Sequence, residues 1–460
     1  MQREILFWIW LADKLGAQNR DFRRLISLYE SAYEIFHTEE TELDRIDEIS
    51  QYTKNAIADK ELGRASEILA RCEQMNIGVL TFADERYPQI LRDIKAPPIV
   101  LYYSGTLPDF NTGLKVGMVG TRRMSAYGLR TAYKIAYELA SAGALIVSGM
   151  AAGIDGVSAA GAIGAGGRTV AVLGCGVDVV YPKHHKPLTD AIRQNGVILS
   201  EYAPGTRPSP YHFPIRNRII SGLSHGTVVV EAGMKSGSLI TAKDAILQGR
   251  DVFALPANVG SDGTAGTNGL LRDGANLVLD TADIVEHYRC LYADWIDVKA
   301  FEASRGKSGA DFAALGRYGV ITQEDAERFL HSDNIPATAE IALPKAEKRQ
   351  RTSVDKKAGA PKADAPKKET GSVRIQSPKE IKKDTPEEEP KQARQTPSEV
   401  LSSLTPAQLA IMQAMPDDRP VTADSLGGLG YPYSDIIAAL TMLEILGLIR
   451  KLPGALYSKA

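Results

Sequence analysis

Eight consecutive residues, Tyr211-His212-Phe213-Pro214-Ile215-Arg216-Asn217-Arg218, place aromatic rings beside two guanidiniums and a carboxamide. Aromatic faces stack on bases and adjacent cations hold phosphates, which is what a single-stranded nucleic-acid site requires. The plainer reading of the same residues is a surface loop that enters an ordinary helix.

Three further segments place small and polar residues directly behind short apolar runs. Gly120-Thr121-Arg122-Arg123-Met124-Ser125 follows Val116–Val119. Gly120 permits close backbone approach, the following helix offers free amides to an anion, and Arg122 or Arg123 can form a bidentate phosphate fork. The spacing is neither GxGxxG nor a GK[ST] P-loop, which removes the basis for a dinucleotide or a nucleotide-hydrolysis assignment. Ser148-Gly149-Met150-Ala151-Ala152-Gly153-Ile154-Asp155 follows Leu145–Val147; its Asp155 either caps a helix or orients an arginine. Glu231-Ala232-Gly233-Met234-Lys235-Ser236-Gly237-Ser238 follows Val228–Val230 and forms a second anion cradle at a helix start. Glu231 is either a general acid/base or an ion-pair partner of Arg216 or Arg218. His184-His185 lacks a third ligand, so no metal site is expected.

These loops need a frame. Seven apolar runs (Val116–Gly120, Ala144–Gly149, Thr169–Gly174, Val197–Glu201, Thr227–Ala232, Asp251–Pro256 and Asn276–Leu279) alternate with amphipathic helices such as Gly128–Ala142, Lys186–Asn195 and Ser238–Gln248. Such a pattern predicts an α/β, doubly wound, mostly parallel Rossmann-like sheet over 81–290, with ligands at the carboxyl ends of its strands. Residues 1–80 read as a helical domain of the SAM or helix-hairpin-helix kind. One helix holds Leu25, Leu28, Tyr29, Ala32, Ile35 and Phe36, and Gly16 separates it from the first. Residues 291–340 read as a helical extension. The segment 341–397 carries 15 basic and 9 acidic side chains, a net +6, with few large apolar residues, and is expected to be a disordered linker. In 398–460, Thr405-Pro406 starts a helix, Val421–Leu426 a second, and Ser434 a third holding Ile437, Leu440, Leu443 and Leu446. Leu448–Leu452 and Ala455–Ser458 then form strands around Pro453-Gly454, a winged-helix-like module. Its third helix has no Arg or Lys before Arg450, which favours protein interaction over a DNA-reading role.

With 460 residues and 44% hydrophobic content, the chain is globular and multidomain. Its net charge of −2 confines any nucleic-acid surface to a local patch. Cys72, Cys175 and Cys290 form no CxxC pair, which fits a reducing compartment; the N-terminal apolar run meets Asp13 and Lys14 too early to span a bilayer. A cytoplasmic location is expected.

The central region resembles the DNA-processing protein A (DprA/Smf) family. The resemblance rests on VGMVGTRRMSAYG (116–128), SGMAAGIDGVSAAGA (148–162), AVLGCGVDVVYP (171–182), SEYAPGT (200–206), HFPIRNRIISGLS (212–224), VVVEAGMKSGSLITAKDAILQGRDVFALPA (228–257) and GTNGLLRDGANLV (266–278). It implies an extended Rossmann fold that binds single-stranded DNA without a cofactor, forms homodimers, protects incoming strands in natural transformation and loads the RecA recombinase. The resemblance places DNA contacts on Arg122, Lys183, Phe213, Arg216, Asn217, Arg218, Lys235, Ser236, Gly237 and Ser238; with Gly120, Thr121, Arg123, Ser148 and Gly149 of the loops they make up the expected DNA-binding set, with no catalytic residue. The long charged linker departs from the family pattern. The competing reading is a Rossmann-type enzyme resembling the phosphoribohydrolases. Those use a Pro-Gly-Gly-x-Gly-Thr loop followed by glutamate, where this chain has EAGMKSGS.

Overall fold

The computed structural model describes residues 2–261, 263–331, 336–339 and 341–344, and in the C-terminal region 405–416, 421–422, 424–429, 436, 439–440, 443, 448–452 and 456–459. The chain divides into two units, Met1–Val354 and Asp355–Ala460.

The first unit is organised by a nine-stranded sheet. Its strands are β1 (Gly78–Thr81), β2 (Val100–Gly105), β3 (Lys115–Val119), β4 (Leu145–Ser148), β5 (Thr169–Leu173), β6 (Gly196–Ser200), β7 (Gly226–Val229), β8 (Asp251–Ala254) and β9 (Asn276–Leu277). The order is β1-β2-β6-β5-β4-β3-β7-β8-β9. The seven strands from β6 to β9 are parallel, as the apolar runs predict. The antiparallel β1–β2 edge, with β2 also antiparallel to β6, was not among the expected strands.

Strands β3 to β7 are buried on both faces, and the side-chain period of two sorts them into two cores. Val116, Met118, Ile146, Ala171, Leu173, Ile198 and Val228 face one layer; Val119, Val147, Val170, Val172, Val197, Leu199 and Val229 face the other. The helices Ala126–Ser141 and Ile154–Gly164 cover the first layer, and His212–Gly222 and Ser238–Leu247 cover the second. Because β4, β5 and β6 lie on one side of β3 and β7, β8 and β9 on the other, the winding reverses between β3 and β7. The crevice beyond the carboxyl ends of that strand pair is where a doubly wound sheet binds ligands.

The boundaries expected at 80 and 290 do not separate cores. Trp8, Phe22 and Leu25 from the N-terminal helices share one cluster with Met118 of the sheet and with Phe301, Leu315 and Phe329 of the 291–340 helices. The stripe from Leu25 to Phe36 is two helices, Phe22–Tyr29 and Ala32–His37, and not one. Glu30 adopts φ 57°, and Ser31 then caps the second helix through the Glu34 N–H. Gly16, at φ 69°, closes the first helix as expected. Order also continues past 340, where the linker was expected to begin. Ile341 is buried, its N–H donates to the Met124 carbonyl, and the Ala342 N–H donates to Asp325. The remainder of the expected linker, 345–397, lies outside the described residues.

In the second unit, helix Pro406–Ala414 starts in a capping box made by Thr405 and Gln408. Val421–Leu426 is not a helix: Val421–Thr422 is strand β10, and Asp424–Leu429 is a 3-10 turn. Strands β11 (Ile449–Leu452) and β12 (Leu456–Lys459) complete an antiparallel sheet ordered β10-β12-β11. Ile411, Met415, Leu426, Leu440, Leu443, Ile449 and Tyr457 form its core. Ser434, Ile437, Leu446 and the Pro453-Gly454 turn lie outside the described residues. No described helix is long and apolar enough to cross a membrane.

Candidate nucleic-acid interface

An open groove of about 1000 Å³ lies at the strand ends where the winding reverses. Its walls hold Gly120, Thr121, Arg122 and Arg123 from the loop after β3, and Lys235, Ser236, Gly237 and Ser238 from the loop after β7. Phe213, Arg216 and Asn217 come from helix His212–Gly222. Helical periodicity explains the selection: Phe213, Arg216, Asn217 and Ile220 are spaced i, i+3, i+4 and i+7, and all four line the groove. Pro214 fits because it lies in the first helical turn, where a missing N–H breaks no helical bond.

Two glycines let the loops meet. Gly153 sits at φ 85°, and a Cβ there would lie 2.7 Å from the Arg122 carbonyl oxygen. A Cβ on Gly149 would lie 2.6 Å from both the Arg216 guanidinium and the Asp155 carboxylate. Arg216 is therefore the groove's floor, 3% exposed, with its Nη1 donating to the carbonyls of Gly149 (2.8 Å) and Val172 and its Nε to the Asn217 side chain. Burial pushes the guanidinium down to about 10, opposed by Asp155, so it remains charged at neutral pH. Burial likewise raises the Asp155 carboxyl, opposed by Arg216 and by the Gly149 amide it accepts. Asp155 thus faces an arginine, one of the two roles its sequence context left open.

Arg122 is exposed and lies over the Phe213 ring at 5.5 Å, while Tyr181 approaches the same ring at 5.3 Å with a 30° tilt. Neither Arg122, Arg123 nor Lys235 makes a salt bridge among the described residues, although the Arg122 charge is near enough to act on Asp155. Asn217 Nδ2 donates to the Gly237 carbonyl and ties the aromatic helix to the β7 loop. A Cβ on Gly237 would meet nothing within 4 Å, so the fold alone does not demand glycine there, and the bare backbone faces open groove.

Four of the expected residues lie elsewhere. Arg218 points away from the groove and is buried, its Nη2 alone donating to both Glu201 carboxylate oxygens at 2.7 and 2.9 Å. Ser148 is buried and donates to the Met118 carbonyl, and Gly149 lies under Arg216. Lys183 is exposed at the start of a short 3-10 turn and does not line the groove, although Tyr181, two residues earlier, does. Tyr181, Asp155 and Met234 are lining residues that the sequence reading did not assign to the site.

The helix after β3 also differs from expectation, because its first amides are already occupied. Glu231 accepts the Ser125 N–H at 3.0 Å and the Ser125 hydroxyl at 3.2 Å. The Ala126 and Tyr127 N–H groups donate to the carbonyls of Ala339 and Ala337, and Gly128 donates to the Ser125 side chain. Those four amides are not available to an anion, whereas the exposed Arg122 and Arg123 side chains of the same loop line the groove. Glu231 accordingly positions this loop and pairs with neither arginine. Burial raises its carboxyl and the Ser125 donors oppose the shift.

His185 is buried against the Met150 carbonyl, and burial, with His184 beside it, pushes its imidazole down to about 3. Between that value and the ordinary 6.5 the unfolded chain binds the proton and the fold does not, so stability falls as pH drops through this window. Thermal melting from pH 7 to pH 5 should show a falling Tm, with a shallower fall in His185→Gln; identical slopes would mean that another group is responsible.

A family model described as DNA recombination-mediator protein A matches residues 78–289, and one described as the DprA winged helix domain matches 392–455. The chain is 41% identical to the DNA processing protein DprA of Bacillus subtilis (strain 168) over 219 residues, 48% of this chain and 74% of that one. The chain belongs to the DNA processing protein A family. It is also 33% identical over 396 residues to Protein Smf of Synechocystis, covering 85% of this chain and 83% of that DprA/Smf relative. The X-ray structure of DprA from Streptococcus pneumoniae superposes with a TM-score of 0.54 at 34% identity, covering 61% of this chain and 97% of that one. The DprA-matched segment, 78–289, contains every residue assigned to the groove.

Proposed function

We propose that this chain binds single-stranded DNA in the groove between β3 and β7 and does no chemistry on it. The carrying observation is the convergence of Arg122, Arg123, Arg216 and Lys235 on one groove, with Arg122 and Arg216 at the Phe213 ring. Cations hold a backbone and an aromatic face takes a base whatever its identity. Membership of a family described as recombination mediators supports the finer reading: a cytoplasmic homodimer that protects incoming strands and passes them to the RecA recombinase in natural transformation. The winged-helix unit acts in this reading as a protein-interaction module. The phosphoribohydrolase-like alternative is disfavoured because EAGMKSGS replaces its catalytic loop. Glu231, the carboxylate at that strand end, is moreover committed to Ser125.

A mobility-shift comparison of single- and double-stranded DNA, with a nucleoside monophosphate assayed in parallel for hydrolysis, tests the reading. Strong single-strand preference without hydrolysis supports it; hydrolysis, or equal affinity for duplex, overturns it. Arg122→Ala should weaken binding and lower the slope of log affinity against log salt by about 0.7, the effect of one lost phosphate contact on a single strand. An unchanged slope would remove Arg122 from the phosphate path.

A further inference from the structure

The groove is too small to hold the whole strand. About 1000 Å³ is the upper end of a pocket for a drug-sized molecule, whereas folds that grip single strands engage about 4–16 nucleotides. The strand therefore leaves the groove across one of its rims, and the rim near Pro210 carries an unassigned aromatic side chain.

Tyr211 is 82% exposed, more than any other aromatic among the described residues. It lies between Pro210 and Phe213, both of which line the groove. Burying a large ring is the ordinary way to stabilise a fold, so a ring left this open has no folding purpose on its own. The Tyr211 side chain makes no hydrogen bond or ring contact among the described residues, whereas its neighbours are fixed. His212 stacks on Tyr202 at 4.1 Å with a 20° interplanar angle, and its Nδ1 lies 3.1 Å from the Gly174 carbonyl oxygen. The His212 N–H donates to the Ser209 carbonyl. The Phe213 ring packs against Tyr181. The backbone on either side of Tyr211 is thus held in place while its ring stands in solvent. Such an arrangement lowers the ordering cost of stacking when a flat partner arrives.

We propose that Tyr211 is a second base-stacking platform, outside the groove, for the nucleotide that follows the one held on Phe213. This rests on the single-strand reading above and extends its footprint past the rim at Pro210. The ligand class is any nucleobase of a continuing single strand, because stacking on a phenol ring does not select a base. Arg207, exposed four residues earlier in the same loop, is the nearest cation along the chain for the accompanying phosphate.

The test uses the full chain with oligo-dT of increasing length, from three to twelve nucleotides, measured by fluorescence anisotropy. In the native protein affinity should rise when the strand becomes long enough to pass the rim. In Tyr211→Ala that rise should shrink by about 5- to 150-fold, the value of one stacked base. Tyr211→Phe should keep the rise, since the ring is retained. Tyr211→Trp should keep it and show indole quenching only with the longer strands. If Tyr211→Ala shows the same length dependence as the native protein, or Tyr211→Trp is not quenched by any length, the platform does not exist. If the native protein binds no oligonucleotide at all, the single-strand reading itself fails, and the two failures are distinguishable. Thermal melting of Tyr211→Ala should match the native protein, because the ring packs on nothing.

Discussion

Replacing Arg218 with alanine is expected to destabilise the first unit by about 3–5 kcal/mol while leaving the DNA affinity of the folded fraction unchanged. The guanidinium and the Glu201 carboxylate are 5% and 8% exposed, and they meet through two charge-assisted bonds. Removing one partner strands the other charge in a poorly solvated place, which is the expensive way to break a buried pair. The Arg218 backbone carbonyl also accepts from Gln248 Nε2, a contact that the substitution leaves intact. The loss is therefore attributable to the side chain. Arg218→Lys should recover part of the stability, since it restores the charge but as a more strongly hydrated group than the guanidinium, and so one costlier to bury. The double replacement Arg218→Met with Glu201→Gln should recover more, because no unpaired charge remains. Urea denaturation measures the loss, and anisotropy with an oligonucleotide at a temperature where every variant is folded measures the binding. A variant with native stability and weakened binding would place Arg218 on the strand instead of in the core.

This residue shows where the sequence was legible and where it was not. Parallel strands β3 to β7 were readable because each is buried on both faces and so appears as a near-continuous apolar run. The groove was readable because three loops rich in small and charged residues follow such runs, and a parallel sheet brings those ends to one side. Within helix His212–Gly222, the chemistry of two arginines is the same but their phase differs. Arg216 lies i+3 from Phe213 and faces the groove, whereas Arg218 lies i+5 and faces the core. That distinction was present in the spacing, once the segment is taken as helical from its first residues. Tyr181 was harder to place, since it lies well beyond the end of β5 at Leu173, whereas Arg122 follows β3 directly. The occupied amides of helix Ala126–Ser141 were not readable. Their partners are carbonyls at Ala337 and Ala339, more than 200 residues away, and a carbonyl acceptor leaves no mark in residue type. Likewise Glu231 offered two arginines as partners by proximity in chemistry, and it took a serine instead.

Phe213→Ala is expected to weaken single-strand binding by about 1–3 kcal/mol, or about 5- to 150-fold, through loss of a stacked base. The ring is half-buried and lines the groove, and two guanidiniums approach it, Arg122 at 5.5 Å and Arg216 at 5.9 Å. Its edge packs on the end of β5, where a Cβ on Gly174 would lie 3.0 Å from Phe213 Cδ1. The ring thus has its edge committed to protein and is also met by Tyr181 and Arg122, so a ligand reaches its face by moving one of them aside. A base that stacks there also displaces or shares the Arg122 cation, which is then free to turn towards the adjacent phosphate. The two residues should accordingly be coupled. In a double-mutant cycle, Arg122→Ala combined with Phe213→Ala should lose less than the sum of the single losses, by about 0.5–3 kcal/mol. Independent sites would add. Phe213→Trp should retain binding, because a larger face stacks at least as well. A fall in Tm for Phe213→Ala comparable to that of Arg218→Ala, with native affinity in the folded fraction, would assign the ring to the core and leave the cations alone to hold the strand.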